Sequence, residues 1–204
     1  MSAVLAPPPQ EPNLAPCDGE LYYRPAFLDS AEADCVFRQL QDELDWTQEV
    51  ITVVGRRVPV PRLVAWHGDP EAVYRYSSLD HLPRPWTKTL QILRDKVESA
   101  SGHRFNSVLG NCYRDGEDSM GWHADQEACL GRDPWIASLS LGAERLFKLR
   151  HNRGVPALEL RLGHGSLLLM GGSLQHRWRH CVPKSRRVSG ARINLTFRLI
   201  HPVS

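Results

Sequence analysis

Apolar and polar positions follow two rhythms along this chain, and the change falls near residue 103. Before it, Ala33, Val36, Phe37, Leu40 and Leu44 recur at three- and four-residue steps, which predicts a helix over 31–44 with Asp29-Ser30 as its caps. Leu90, Leu93 and Val97 mark a second helix over 86–101 that Gly102 stops. A short extended segment, 21–28, leads into the first helix. Between the helices, Glu49–Val54 reads as a strand and Gly55-Arg56-Arg57 as a hairpin-like turn. The prolines of Val58-Pro59-Val60-Pro61-Arg62 keep the return segment at an edge or in a loop. Beyond residue 103 come short β-rich segments at 105–112, 135–141, 146–150, 158–162, 166–170 and 193–200. Gly, Asp, Asn or Pro separates them at sandwich-like intervals. The expected fold is mainly β, an antiparallel double-sheet core with two flanking helices.

Composition narrows this picture. A chain of 204 residues suits one substantial domain, and its 42% hydrophobic and 24% charged content excludes wholesale disorder. Residues 1–18 hold five prolines and no apolar period, so they are expected to form a flexible tail, with 19–204 as a single domain. No apolar run of ~18 residues is present, so no membrane partner is expected. The start of the sequence has neither a basic nor a long apolar stretch, which argues against a secretory signal. Five scattered cysteines without a C-x-x-C pair fit a reducing interior, cytoplasmic in a bacterium or nuclear in a eukaryote. The overall charge of +2 hides an asymmetry: residues 1–102 carry 10 Lys/Arg against 15 Asp/Glu, and residues 103–204 carry 15 against 8. Seven basic residues and no acid lie between Arg177 and Arg198, a field suited to a polyanion, an anionic small ligand or simply solvent.

Candidate chemistry clusters in the basic half. In Trp122-His123-Ala124-Asp125, His123 and Asp125 stand two apart, so an extended strand end points both the same way. A distant histidine, either His176 or His180, could complete a two-histidine, one-carboxylate triad with open positions for iron(II). Zinc hydrolysis would need a nearby general base, which the spacing does not offer. Arg192-Ile193-Asn194-Leu195-Thr196-Phe197-Arg198 alternates strictly, with Arg192, Asn194, Thr196 and Arg198 on one side. Two guanidiniums on an inward face call for anions, and a dicarboxylate fits two arginines.

These motifs, in order, resemble the AlkB-type iron(II)/2-oxoglutarate dioxygenases. The resemblance rests on residues 105–116, the H-x-D, Ile136–Gly142, Gly165–Met170, His180 ahead of Val182-Pro183, and Arg192–Arg198, and it runs from about residue 50 to 200. It implies a double-stranded β-helix, or jelly-roll, as catalytic core over 103–204, with 19–102 as nucleotide-recognition lid and helices. It makes His123, Asp125 and His180 the iron ligands. Asn111, Tyr113, Arg192, Asn194, Thr196 and Arg198 would line the 2-oxoglutarate site. Such enzymes use Fe(2+), 2-oxoglutarate and O2 to hydroxylate N-alkyl groups on damaged bases such as 1-methyladenine and 3-methylcytosine. They release succinate, CO2 and formaldehyde.

The resemblance also implies a substrate face. Val53-Val54-Gly55 is similar to the apolar finger of duplex-acting members, with Arg62 shortly after it, and an apolar wedge helps expel a base. Tyr74 and Tyr76 would wall the flipped base, with Glu127 and Gln126 near the lesion. The cations of 177–187 would hold phosphates. The expected partner is alkylated DNA, with RNA as alternative, and the expected state is a monomer. Two competing readings are the same chemistry on RNA or a protein side chain, and a non-catalytic nucleic-acid binding module.

Overall fold

The alternation of Arg192–Arg198 sets the layering of the whole molecule. In chain order the computed structural model has β1 (Glu20–Arg24), α1 (Ser30–Glu43), β2 (Val50–Val53), β3 (Arg56–Pro59), β4 (Leu63–Gly68), β5 (Tyr74–Tyr76), β6 (Leu79–His81), α2 (Lys88–Ser101) and β7 (Ser107–Tyr113). Then follow β8 (Met120–His123), β9 (Ile136–Gly142), β10 (Arg145–His151), β11 (Leu158–Leu162), β12 (Ser166–Gly171), α3 (Leu174–Arg177), β13 (Trp178–Val182) and β14 (Arg192–Arg198). The structure describes residues 11–53, 55–76 and 79–201.

Six strands form a major sheet in the order β1-β12-β9-β14-β7-β4, and four form a minor sheet in the order β11-β10-β13-β8. All of these pairings are antiparallel, and neighbours that are distant in sequence give the expected double-stranded β-helix. The helices lie on one side of the major sheet. Their stripes, Ala33, Val36 and Leu40 of α1 with Leu90, Leu93 and Val97 of α2, bury against Leu139, Ile193, Leu195 and Phe197. Between the sheets sits a second core with Tyr113, Phe147, Leu149, Met170, Trp178 and Val182. The polar side of β14 therefore faces the inter-sheet gap.

Local signals worked where caps were present. Asp29 accepts the Glu32 N–H at the start of α1, and Thr87 caps α2, which thus begins at Lys88 rather than at the expected residue 86. Gly102 ends α2 with φ 74°, a conformation that favours glycine. The segment 50–59 forms the expected hairpin, β2 paired with β3, standing apart from both sheets.

Residues 11–18 correct the expectation of a flexible tail. Asn13 Oδ1 accepts from the amides of Ala15 and Leu21, and Ala15 is buried. The Cys17 carbonyl accepts the indole N–H of the fully buried Trp178 at 3.2 Å. Proline-rich sequence does not preclude docking when a core tryptophan needs an acceptor. Among the described residues no helix is long and apolar enough to cross a membrane.

Phe197, fully buried against Phe105 at 6.2 Å between ring centroids, fixes β14 to the helical layer. Phe197→Ala is expected to destabilise the protein by about 3–5 kcal/mol in urea unfolding.

Candidate active site

Strand pairing brings the first two candidate ligands together. His123 ends β8 and lies directly opposite His180 of β13, with a register shift between His180 and Val182. Their rings meet edge-on at 4.3 Å. Asp125 follows two residues later, and its Oδ1 lies 3.6 Å from His123 Nε2. One ligand atom from each of His123, Asp125 and His180 falls within 4.8 Å of the others. His176, the alternative to His180, points elsewhere and lies 3.4 Å from Asp133.

Each group is held by a specific partner. His123 Nδ1 lies 2.9 Å from the Gly121 carbonyl, which only accepts, so the ring proton sits on Nδ1 and the Nε2 lone pair is free toward Asp125. Asp125 is buried, and both Nε (3.1 Å) and Nη2 (2.6 Å) of Arg198 donate to its Oδ2. Gln175, fully buried in α3, accepts the Asp125 amide at 3.0 Å. Phe147 packs against His180 with centroids 5.1 Å apart. Burial, reinforced by His123, holds the His180 imidazole down to about 3. Burial pushes the Asp125 carboxyl upward, but Arg198, His180 and His123 outweigh it and lower it to about 2. At neutral pH both groups are in the form that binds a metal ion.

The triad opens into a cavity of about 430 Å³ between the sheets. At its polar end Arg192 is 1% exposed. One of its amines donates to Ser140 Oγ at 2.8 Å, while Nε and Nη1 are buried without a hydrogen-bond partner. Burial, with the charge of Arg145, lowers its pKa to about 10. Asn194 donates to Ser138 Oγ and the Leu139 carbonyl, and Thr196 donates to Asn194. Asn111 accepts from Arg62 at 2.8 Å, and Tyr113 lies beneath the Arg192 guanidinium, 5.2 Å from ring centroid. Orphaned donors of a buried cation at one end, and at the other a triad with a buried, unpartnered His180 Nδ1, fit a dicarboxylate and a metal ion.

The expected residues do not all converge. Asn111, Tyr113, Arg192, Asn194, Thr196, Arg198, Arg62 and Glu127 line the cavity with the triad. The two arginines differ in setting: Arg198 donates to Asp125 beside the triad, while Arg192 stands at the polar end of the cavity. Gln126 lies outside the cavity lining: it is exposed and its amide donates to the Gln175 carbonyl at 2.6 Å. Gly55 sits at the exposed hairpin turn with φ 75°. The Val53-Val54 wedge and the Tyr74 and Tyr76 walls concern Val54 and side chains outside the described residues. The sequence reading missed Gln175, Ser138 and Ser140. Gln175 adjoins the His176–His180 motif, but nothing in its spacing reveals a contact to Asp125.

The profile of the 2OG-Fe(II) oxygenase superfamily matches residues 20–198. Alpha-ketoglutarate-dependent dioxygenase alkB homolog 3 of Bos taurus is 43% identical over 188 residues, covering 87% of this chain and 65% of that protein. The chain thus spans just under two thirds of that relative's length. DNA oxidative demethylase ALKBH2 of Mus musculus is 40% identical over 183 residues, covering 84% of this chain and 77% of that protein. Among solved structures, OsALKBH1 superposes with a TM-score of 0.64 at 18% identity, covering 87% of this chain and 97% of that one, a likeness of fold.

For the metal-free protein the sign of the acid response follows from His180. Its folded value of about 3 lies below the ordinary 6.5, so the unfolded chain takes up the proton first. Stability is expected to fall as pH drops from about 6.5 toward 3, and Asp125, with 3.8 lowered to about 2, adds loss at the acid end. Urea unfolding at pH 7 and pH 4.5 should show this difference, and it should shrink in His180→Gln.

Proposed function

This chain belongs to the 2OG-Fe(II) oxygenase superfamily, in its AlkB-type branch, and we propose that it removes alkyl groups oxidatively from nucleic-acid bases, alkylated DNA above all. The observation that carries the proposal is the cavity itself, with a His-Asp-His triad at one end and the unpartnered donors of buried Arg192 at the other. In this reading His123, Asp125 and His180 hold the iron. Arg192 grips the remote carboxylate of 2-oxoglutarate.

Iron(II) with 2-oxoglutarate and O2 supplies the oxidation, decarboxylating 2-oxoglutarate to succinate and CO2 and hydroxylating an N-alkyl group that leaves as formaldehyde. The residues of the chain organise that chemistry. Arg198 occupies Asp125 Oδ2 and leaves Oδ1 turned toward His123, so the carboxylate is presented through one oxygen. Gly121 fixes the His123 tautomer, and Phe147 covers the His180 ring. Trp66, Ile51 and Leu109 give the cavity apolar walls that suit a flat base and exclude water.

A base reaches this cavity only when taken out of its stack, at a cost of a few kcal/mol in a duplex. The hairpin of β2 and β3 stands at the entrance, since Glu49, Ile51 and Val60 line the cavity while Arg56 and Arg57 are exposed. Arg177, Arg179, Lys184, Arg186 and Arg187 are exposed and suited to phosphates. The relative named as a DNA oxidative demethylase supports a nucleic-acid substrate; bases such as 1-methyladenine and 3-methylcytosine are the proposed targets.

Purified protein with iron(II), 2-oxoglutarate and methylated oligonucleotide should release formaldehyde, and no turnover on single- or double-stranded DNA or on RNA would defeat the proposal. His180→Ala should reduce turnover to background with the fold retained by circular dichroism. Arg192→Met should raise the KM for 2-oxoglutarate by about 10- to 100-fold, the loss of one charge-assisted contact.

A further inference from the structure

Arg145, at the start of β10, is 1% exposed, yet none of its hydrogen bonds goes to a carboxylate. Its amines donate to main-chain carbonyls of Asp115 (3.0 Å), Asp118 (2.7 Å) and Pro183 (2.8 Å). The nearby carboxylate of Asp118 is taken by Arg114, which reaches both its oxygens at 2.8 Å. The Arg145 guanidinium lies 5.4 Å from the Tyr113 ring centroid, and that of Arg192 lies 5.2 Å from the same ring. Two buried cations thus share one aromatic ring, and Asp125, one of the acids lining the cavity, is engaged by Arg198. Burying a second positive charge beside Arg192 is costly, and the nearby Asp118 and Asp115 charges offset that burial only in part. A purely structural residue in this place could be neutral, because carbonyl acceptors are satisfied by any good donor.

We infer that Arg145 is a positioning residue for the remote carboxylate of the dicarboxylate bound at Arg192, acting through the Tyr113 ring that both guanidiniums share. The inference rests on the co-substrate reading above and adds to it a residue outside the cavity lining. Arg145 contributes in two ways. Its charge raises the positive potential where the carboxylate arrives, and its three carbonyl contacts tie the 115–118 loop and the segment after His180 to β10. The remote carboxylate and the triad are thereby held in one frame.

Calorimetric titration of the Mn²⁺-loaded protein with 2-oxoglutarate and with 2-oxobutanoate, the same keto acid end without the remote carboxylate, tests this. Arg145→Met should weaken 2-oxoglutarate binding by about 10- to 100-fold, and Arg145→Lys, which keeps the charge, by less than about 10-fold. Neither substitution should change 2-oxobutanoate binding by more than about 2-fold, a selectivity that a folding defect would not produce. Unchanged 2-oxoglutarate affinity in Arg145→Met, or an equal loss for both ligands in both variants, would overturn the inference. Failure of the unaltered protein to bind 2-oxoglutarate would instead remove the co-substrate reading, and Arg145's role with it.

Discussion

A single carboxylate oxygen joins the two halves of this site. Oδ2 of Asp125, at the end of the minor sheet, accepts twice from Arg198, the last residue of β14 in the major sheet. Asp125 is buried and Arg198 partly so, and separating the pair would strand the carboxylate away from water, which costs several kcal/mol. Its geometry also has a direction. By occupying Oδ2, Arg198 leaves Oδ1 beside His123, so a contact that spans the two sheets also orients the candidate carboxylate ligand.

The same strand explains the far end of the cavity. Residues two apart in β14 share a face, so the alternation that gives the helices Ile193, Leu195 and Phe197 must send Arg192, Asn194, Thr196 and Arg198 into the gap. Asn194 and Thr196 find partners among themselves and with β9. Arg192 donates to Ser140 and lies over the Tyr113 ring. In a layer that is otherwise apolar, a guanidinium with donors to spare stabilises the structure fully only when an anion meets it.

The sequence made much of this legible because periodicity reports which side of an element faces the core. The two helices, the hairpin and the strict alternation of 192–198 were readable for that reason, and the H-x-D was readable because two residues of extended chain span one side. What could not be read was pairing across distance. Nothing in the spacing of residues 120–123 or 178–182 marks β8 and β13 as neighbours, since both are short and interrupted by charge or glycine, yet their register puts His123 against His180. The commitment of Arg198 to Asp125, 73 positions away, was hidden for the same reason, and two arginines on one strand looked equivalent when they were not. Gln175 was invisible because a buried glutamine declares itself only through its partner.

The two imidazoles ride on adjacent, hydrogen-bonded strands, whereas the carboxylate is steered from the opposite sheet. Heat or pressure that spreads the sandwich therefore leaves the spacing of the two imidazoles set within one sheet and loosens the orientation of the carboxylate.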